Sequence, residues 1–154
     1  MTGTGLAAAQ PPAPTRLEPP MGAESGPFWE ATREGTLLLQ WCRACDRAVF
    51  YPRSFCPHCG AAGPLEWRPA SGGATVYAAA VETRPEAAGA AFSGGEPYCV
   101  ALVDLDEGVR MMTNIVGCPP AEVRSGLAVE VTWEPLSDGR RLPLFRPVSG
   151  APKR

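Results

Sequence analysis

The chain has 154 residues, with 17 glycines, 18 prolines and a formal charge of −2. That length suits one small module joined to one domain of about a hundred residues, and that composition predicts many turns and little helix. The charge excludes the strongly basic footprint of a nucleic-acid binder. No apolar run approaches the roughly 20 residues of a membrane span. No basic stretch followed by an apolar one opens the chain, so a soluble, cytoplasmic protein is expected.

Residues 1–26 hold Pro11, Pro12, Pro14, Pro19 and Pro20 and almost no bulky apolar side chains. Such a segment buries too little surface to offset its ordering entropy, and a disordered tail is expected. Pro27 to Glu34 reads as a short helix, with Ser25 able to cap it and Gly35 able to end it in the left-handed conformation. Its large apolar groups, Phe28 and Trp29, either pack on their own domain or anchor a partner. Thr36 to Trp41 reads as a strand running into Cys42. Ala48 to Tyr51 and Leu65 to Arg68 are two more short strands.

From Gly72 the pattern becomes strand and turn. Strands are expected over Ala74 to Glu82 and over Tyr98 to Asp104, where Val100, Leu102 and Asp104 alternate with Cys99, Ala101 and Val103. Asp106-Glu107-Gly108 is a hairpin turn, its glycine supplying a positive φ. Val109 to Val116 is the next strand, Pro119 to Arg124 a one- to two-turn helix, and Leu127 to Glu134 a fourth strand. Leu142 to Val148 is a fifth, proline-flanked edge strand. Five strands with a short helix between the third and fourth match the order of a five-stranded OB-type Greek-key barrel, although the strand spacing also allows a small sandwich. The fold class is therefore mainly β. The organisation expected is a tail over 1–26, helix and zinc module over 27–70, OB-fold domain over 71–149 and a C-terminal tail over 150–154. Thr83 to Pro97, long for a loop, carries one bulky ring, Phe92, placed to plug the barrel mouth or meet a partner.

The six cysteines fall into two tight pairs and two single residues. Cys42-Arg43-Ala44-Cys45 and Cys56-Pro57-His58-Cys59-Gly60 are two knuckles, each placing both sulfurs on one side of a turn, and together they make a tetrahedral site. Gly60 accepts the left-handed conformation freely, and Asp46, in the equivalent place, tolerates it better than most residues. Zinc is the expected ion, although tetrahedral sulfur sites accept iron too. Four sulfur ligands leave no open position for water, so the Zn2+ is structural, one per chain. His58, the one histidine, lies at a knuckle position that usually faces solvent.

No catalytic constellation is legible. Cys99 and Cys118 lack a base, and Asp104 and Asp106 fit a solvated hairpin end. Neither Gly72-Gly73 nor Gly94-Gly95 forms a phosphate-cradling motif. From Gly72 to Val148 ten acidic side chains stand against six basic ones, the opposite of what neutralising a nucleic-acid backbone needs.

The layout resembles a family that pairs an N-terminal helix and rubredoxin-like zinc ribbon with a C-terminal OB fold, long known only as a domain of unknown function. The resemblance rests on Phe28-Trp29-Glu30-Ala31, Leu37-Leu38-Leu39-Gln40, Phe50-Tyr51-Pro52-Arg53 before the second knuckle, Leu65-Glu66-Trp67, the stretch from Ser71 to Tyr77, the stretch from Pro97 to Gly108, and Pro143-Leu144-Phe145. One departure is Gly73-Ala74, where the family often has a second glycine. The resemblance implies a non-catalytic accessory subunit of an acyl-CoA enzyme, paired with thiolase-like proteins such as acetoacetyl-CoA thiolase or the retro-aldolases of steroid side-chain degradation, or with hot-dog hydratases. It implies a hetero-oligomer in which the barrel helps form the partner's acyl-CoA site, with a CoA ester bound jointly. Phe28, Trp29 and Phe92 are candidate partner contacts. Arg43, Arg47 and Arg53 either meet CoA phosphates or offset the charge of the metal site. The alternative is a free-standing binding module for nucleic acid or acyl-CoA.

Overall fold

A computed structural model describes residues 18–63, 65–83 and 96–149. The expected tails over 1–17 and 150–154, and Phe92, lie outside the described residues. Glu18 to Ser25, which the composition assigns to the tail, are held by named contacts. The Glu18 carboxylate accepts the Ser137 N–H at 2.7 Å, and Arg140 Nη1 donates to the Pro19 carbonyl at 2.9 Å.

The N-terminal helix, α1, spans Gly26–Ala31 and tightens into a 3-10 turn over Thr32–Glu34. Gly35 ends it at φ 69°, as its position suggests. Ser25 does not cap it. Its hydroxyl instead accepts the Gly22 N–H in the turn before the helix. Thr32, fully buried, returns its own hydroxyl to the Trp29 carbonyl at 2.7 Å, which fixes the helix end inside the protein.

Three short strands follow: β1 (Leu38–Cys42), β2 (Arg47–Val49) and β3 (Glu66–Pro69), in the antiparallel order β2-β1-β3. β1 leads directly into the first knuckle, and β2 fills the interval between the knuckles. Asp46 holds the left-handed turn at φ 50°, and its carboxylate accepts the Trp41 indole N–H at 2.8 Å. A short polar side chain tolerates that backbone better than a bulky one.

The remaining strands are β4 (Gly73–Glu82), β5 (Tyr98–Leu105), β6 (Arg110–Ile115), β7 (Ala128–Pro135) and β8 (Arg141–Pro147). They close into a barrel of order β4-β5-β6-β8-β7, the five-stranded arrangement expected from sequence. The expected helix between β6 and β7 is reduced to one 3-10 turn over Pro120–Glu122. Gly72 enters the barrel at φ 82°, where a Cβ would stand 2.6 Å from Val131 Cγ1; only glycine fits there.

β8 is not an edge strand. It lies between β6 and β7, with a full antiparallel ladder to β7. To β6 it is joined by the single parallel bridge Ile115↔Phe145 and the bond from the Val116 N–H to the Phe145 carbonyl. Pro143 explains why the strand reads as an edge. It pairs with Trp133 on the β7 side, while its carbonyl, and hence its missing N–H, faces the stretch where β6 has separated.

One core unites the two parts. Phe28, Leu37, Leu39 and Ala48 from the helix and small sheet pack with Val76, Cys99, Val103, Val129 and Phe145 of the barrel. A second, smaller cluster of Cys42, Val49 and Cys56 sits at the knuckle end of the sheet.

Candidate functional site

The knuckles bring the sulfurs of Cys42, Cys45, Cys56 and Cys59 within 4.8 Å of one another. The Cys42–Cys59 sulfur separation is 3.8 Å and that of Cys45–Cys56 is 3.7 Å. A tetrahedron on zinc–sulfur bonds of about 2.3 Å has edges of about 3.8 Å, the spacing of both of these pairs, so this donor set fits zinc. The backbone orients the sulfurs. The His58 N–H points at Cys56 Sγ at 3.4 Å, and the Gly60 N–H closes the turn on the Cys56 carbonyl. Burial raises the Cys56 thiol, but the backbone N–H groups of Cys59 and His58 outweigh it and bring the thiol down to about 6. Cys45 is pushed up to about 12, first by burial and then by its bonds to the other three sulfurs. Opposed shifts at these two neighbouring thiols fit a crowded sulfur cluster, in which a bound cation would favour the thiolates. His58 stays outside the sulfur cluster. Its side chain is exposed and its Nε2 lies 3.1 Å from the Ala48 carbonyl, a surface turn residue as expected.

Between the metal module and the barrel lies an apolar groove of about 550 Å3. One wall is a run of rings. Phe28 meets Trp29 edge-on at 5.0 Å, Phe50 lies 5.9 Å from Phe28, and Tyr51 stacks against Phe50 at 4.1 Å. The opposite wall is the slit where β6 and β8 part, bounded by Met111 to Asn114 on one lip and Leu142 to Leu144 on the other. Tyr98 and Val100 of β5 extend it. The slit is held by side chains. Thr113 Oγ1 donates to the Pro143 carbonyl at 3.1 Å, and the Met112 N–H donates to the Tyr51 hydroxyl at 3.3 Å. Among the described residues, Tyr51 and Tyr98 bring the ionisable groups of this lining, and Ser25, Trp29, Thr113 and Asn114 its other polar side chains.

Phe28, a candidate partner contact, is 4% exposed and belongs to the core, so it is not a surface anchor. Its position on the inner face of α1, beneath Phe50, is the reason. Trp29 is half-buried and faces the groove, with the Arg140 guanidinium 5.2 Å from its ring centre. The three arginines separate. Arg43 reaches Glu66 at 3.4 Å. Arg47 is exposed on β2, opposite Cys42. Arg53 follows Tyr51 and Pro52 of the groove wall and also lines a neighbouring cleft of about 350 Å3 with Glu24, Gln40 and Ser54. The metal cluster was legible from spacing. The groove was not, although β5 carried a signal for it: Val100 and Leu102 are apolar on the face opposite Cys99, Ala101 and Val103, and a strand apolar on both faces covers something on each side.

No helix among the described residues is long and apolar enough to cross a membrane. Family models match in two consecutive pieces: the rubredoxin-like zinc ribbon domain of ChsH2 over residues 29–64 and its C-terminal OB-fold domain over residues 67–134. The chain is 35% identical over 140 residues to the "Probable enoyl-CoA hydratase alpha subunit" of Thermomonospora curvata, covering 90% of this chain and 42% of that one. It is 34% identical over 92 residues to a DUF35 domain-containing scaffold protein of Methanothermobacter thermautotrophicus, covering 60% of this chain and 67% of the other. Among solved structures, a chain of the Ltp2-ChsH2(DUF35) aldolase superposes with a TM-score of 0.73 at 35% identity, over 84% of this chain and 98% of that one. The present chain thus spans about two-fifths of the hydratase subunit it matches and nearly the whole of the aldolase component.

Proposed function

This chain belongs to the DUF35 family of ChsH2-type zinc-ribbon and OB-fold proteins, and on that premise we propose that it is a non-catalytic accessory subunit of an enzyme acting on acyl-CoA esters. Its partner is a thiolase-like subunit, a thiolase or retro-aldolase, and the barrel helps form or stabilise the acyl-CoA site of the complex. The single observation that carries this reading is the groove. It has the size of a small-molecule site and apolar walls, yet among the described residues no carboxylate, imidazole, thiol or amine lines it. Such a space suits holding a ligand, with two tyrosine hydroxyls as its ionisable groups and no nucleophile–base pair beside them. The four-sulfur zinc shell points the same way, because it leaves no position for water. The relatives support the assignment to an assembly: one is a subunit of a hydratase and another a component of an aldolase complex.

The test is co-purification. The tagged chain, expressed together with its native neighbours, is expected to elute in fixed ratio with a thiolase-superfamily subunit. Neither protein alone then shows full acyl-CoA turnover. Elution of the chain by itself, with the partner active without it, overturns the reading and leaves a free-standing binding module.

A further inference from the structure

We propose that the open edge of β4, residues 77–81, pairs with the same edge of a second copy of this chain, joining two barrels through one antiparallel sheet. This goes beyond the acyl-CoA reading and does not rest on it.

The edge follows from the way the barrel closes. β7 runs beside β4 only at Gly73, Ala74 and Thr75. The contact ends at Val76, whose N–H donates to the Leu127 carbonyl at 2.9 Å and whose carbonyl accepts the Gly126 N–H at 2.8 Å. β4 then continues to Glu82 with β5 on one side and, among the described residues, no strand on the other. Two hydrogen bonds fix which groups that bare side presents. Asp106 donates its N–H to the Gly73 carbonyl, whereas Leu105 donates its N–H to the Val109 carbonyl at the turn into β6. Even-numbered residues of β5 therefore address β4 and odd-numbered ones address β6, because main-chain direction alternates along a strand. A bulge between Val76 and Ala78 shifts the alternation of β4, so that Ala79 stands opposite Ala101 and Val81 opposite Cys99. Those two partners turn their main-chain groups away from β4. In an antiparallel pair the facing residue does the same, so the N–H and carbonyl of Ala79 and of Val81 point out from the open edge.

Natural edges are blunted by charge, proline, a bulge or a covering segment. The other opening of the barrel, between β6 and β8, has Pro143 on its lip. Tyr77-Ala78-Ala79-Ala80-Val81 carries neither charge nor proline, and the bulge lies before the open groups rather than among them. All five side chains are exposed, Tyr77 by 51% and Val81 by 41%. Such an edge is suited to pairing.

It is also complementary to itself. Set antiparallel about Ala80, Ala79 of each copy exchanges both main-chain bonds with Val81 of the other, and every outward group at these two positions is used. Ala80 then meets Ala80 of the second copy on the two-fold axis. That is a non-hydrogen-bonded pair, where Cα atoms approach to about 4.5 Å and a small side chain fits. Glu82 falls opposite Ala78, so no like charges meet. Ala80 pairs with Val100, which lines the groove, and the two copies of Ala80 share one face of the joined sheet. Both grooves therefore open on the same side of the dimer. Few side chains are buried, so the association is weak and depends on concentration.

The test is sedimentation of the zinc-loaded full chain from about 5 to 500 µM, the range in which an interface this small associates. The average mass rises towards two chains. Amide exchange at Ala79 and Val81 slows in step, while that of Ala80, bonded to β5, does not change. Ala79→Pro removes an outward N–H and no bond to β5, so it abolishes the dimer and leaves the barrel. Val81→Lys sets a charge on the edge and has the same effect. Ala80→Cys, with its Cα atoms inside the disulfide range of about 4.4–6.8 Å, is crosslinked into a dimer by oxidised glutathione, and Ala78→Cys is not. Zinc content and thermal midpoint, read for every variant, separate loss of pairing from loss of fold. A chain that stays monomeric across the range overturns the proposal, as does a dimer that survives Val81→Lys. Protection of Ala79 and Val81 only with the enzyme partner bound overturns it in favour of a strand from that partner.

Discussion

Single residues hold this protein together where chain and charge are most constrained. Cys56 has no exposed surface and receives backbone N–H groups at its sulfur. Cys56→Ser is expected to lower zinc content from one ion per chain to near zero, measured by metal analysis, and to release the second knuckle to protease, since ribbon folding and metal binding are one process. At the β5–β6 hairpin, Arg110 grips Asp104 with two bonds of 2.7 and 3.0 Å and lies over the Tyr77 ring. The Arg110 hydrogen bond holds the Asp104 carboxyl below its usual range, against a smaller effect of burial. A carboxyl whose pKa is lower folded than unfolded stabilises the fold above its ordinary value of about 3.9, and that stabilisation is lost as pH falls through the lower folded value. Asp104→Asn should therefore reduce the thermal midpoint at neutral pH and match the parent at strongly acid pH. Comparing the two proteins at each pH cancels the shared loss of zinc in acid.

At the scale of elements, the strands were legible because their alternation is strong, and both knuckles were legible because sulfur spacing is a local property. The misplaced features depend on what lies across space. Ser25 has the chemistry of a helix cap, yet its hydroxyl finds Gly22 first. Pro143 carries the local signature of an edge, yet β8 is flanked on both sides, and only the stretch beside Pro143 stands open. The groove escaped notice because its walls come from α1, the loop after β2 and three barrel strands, and no window of sequence contains them together. Thr113 ties the lips of the slit from an 8% exposed position. Thr113→Val leaves the Pro143 carbonyl without its donor and should cost about 1–3 kcal/mol in denaturant unfolding, with little change in zinc content.

For the molecule as a whole, metal and barrel are not independent. The small sheet contributes one face to the zinc cluster and the other to the core it shares with the barrel. Chelation at neutral pH should therefore do more than loosen residues 42–59. It should lower the thermal midpoint of the barrel strands, followed by amide exchange in β5 and β7, and unaltered exchange there would show that the two parts fold separately. The two lips of the barrel slit meet at one backbone bridge, Ile115↔Phe145, and are otherwise spanned by a side-chain bond. The wall thus behaves as a pair of leaves on a fulcrum. Widening it breaks one hydroxyl contact, the one whose loss in Thr113→Val should cost about 1–3 kcal/mol, and leaves every ladder intact. On the acyl-CoA proposal, a slender guest leaves that contact whole and a broad one must open it, so the hinge-like slit grades guests by girth.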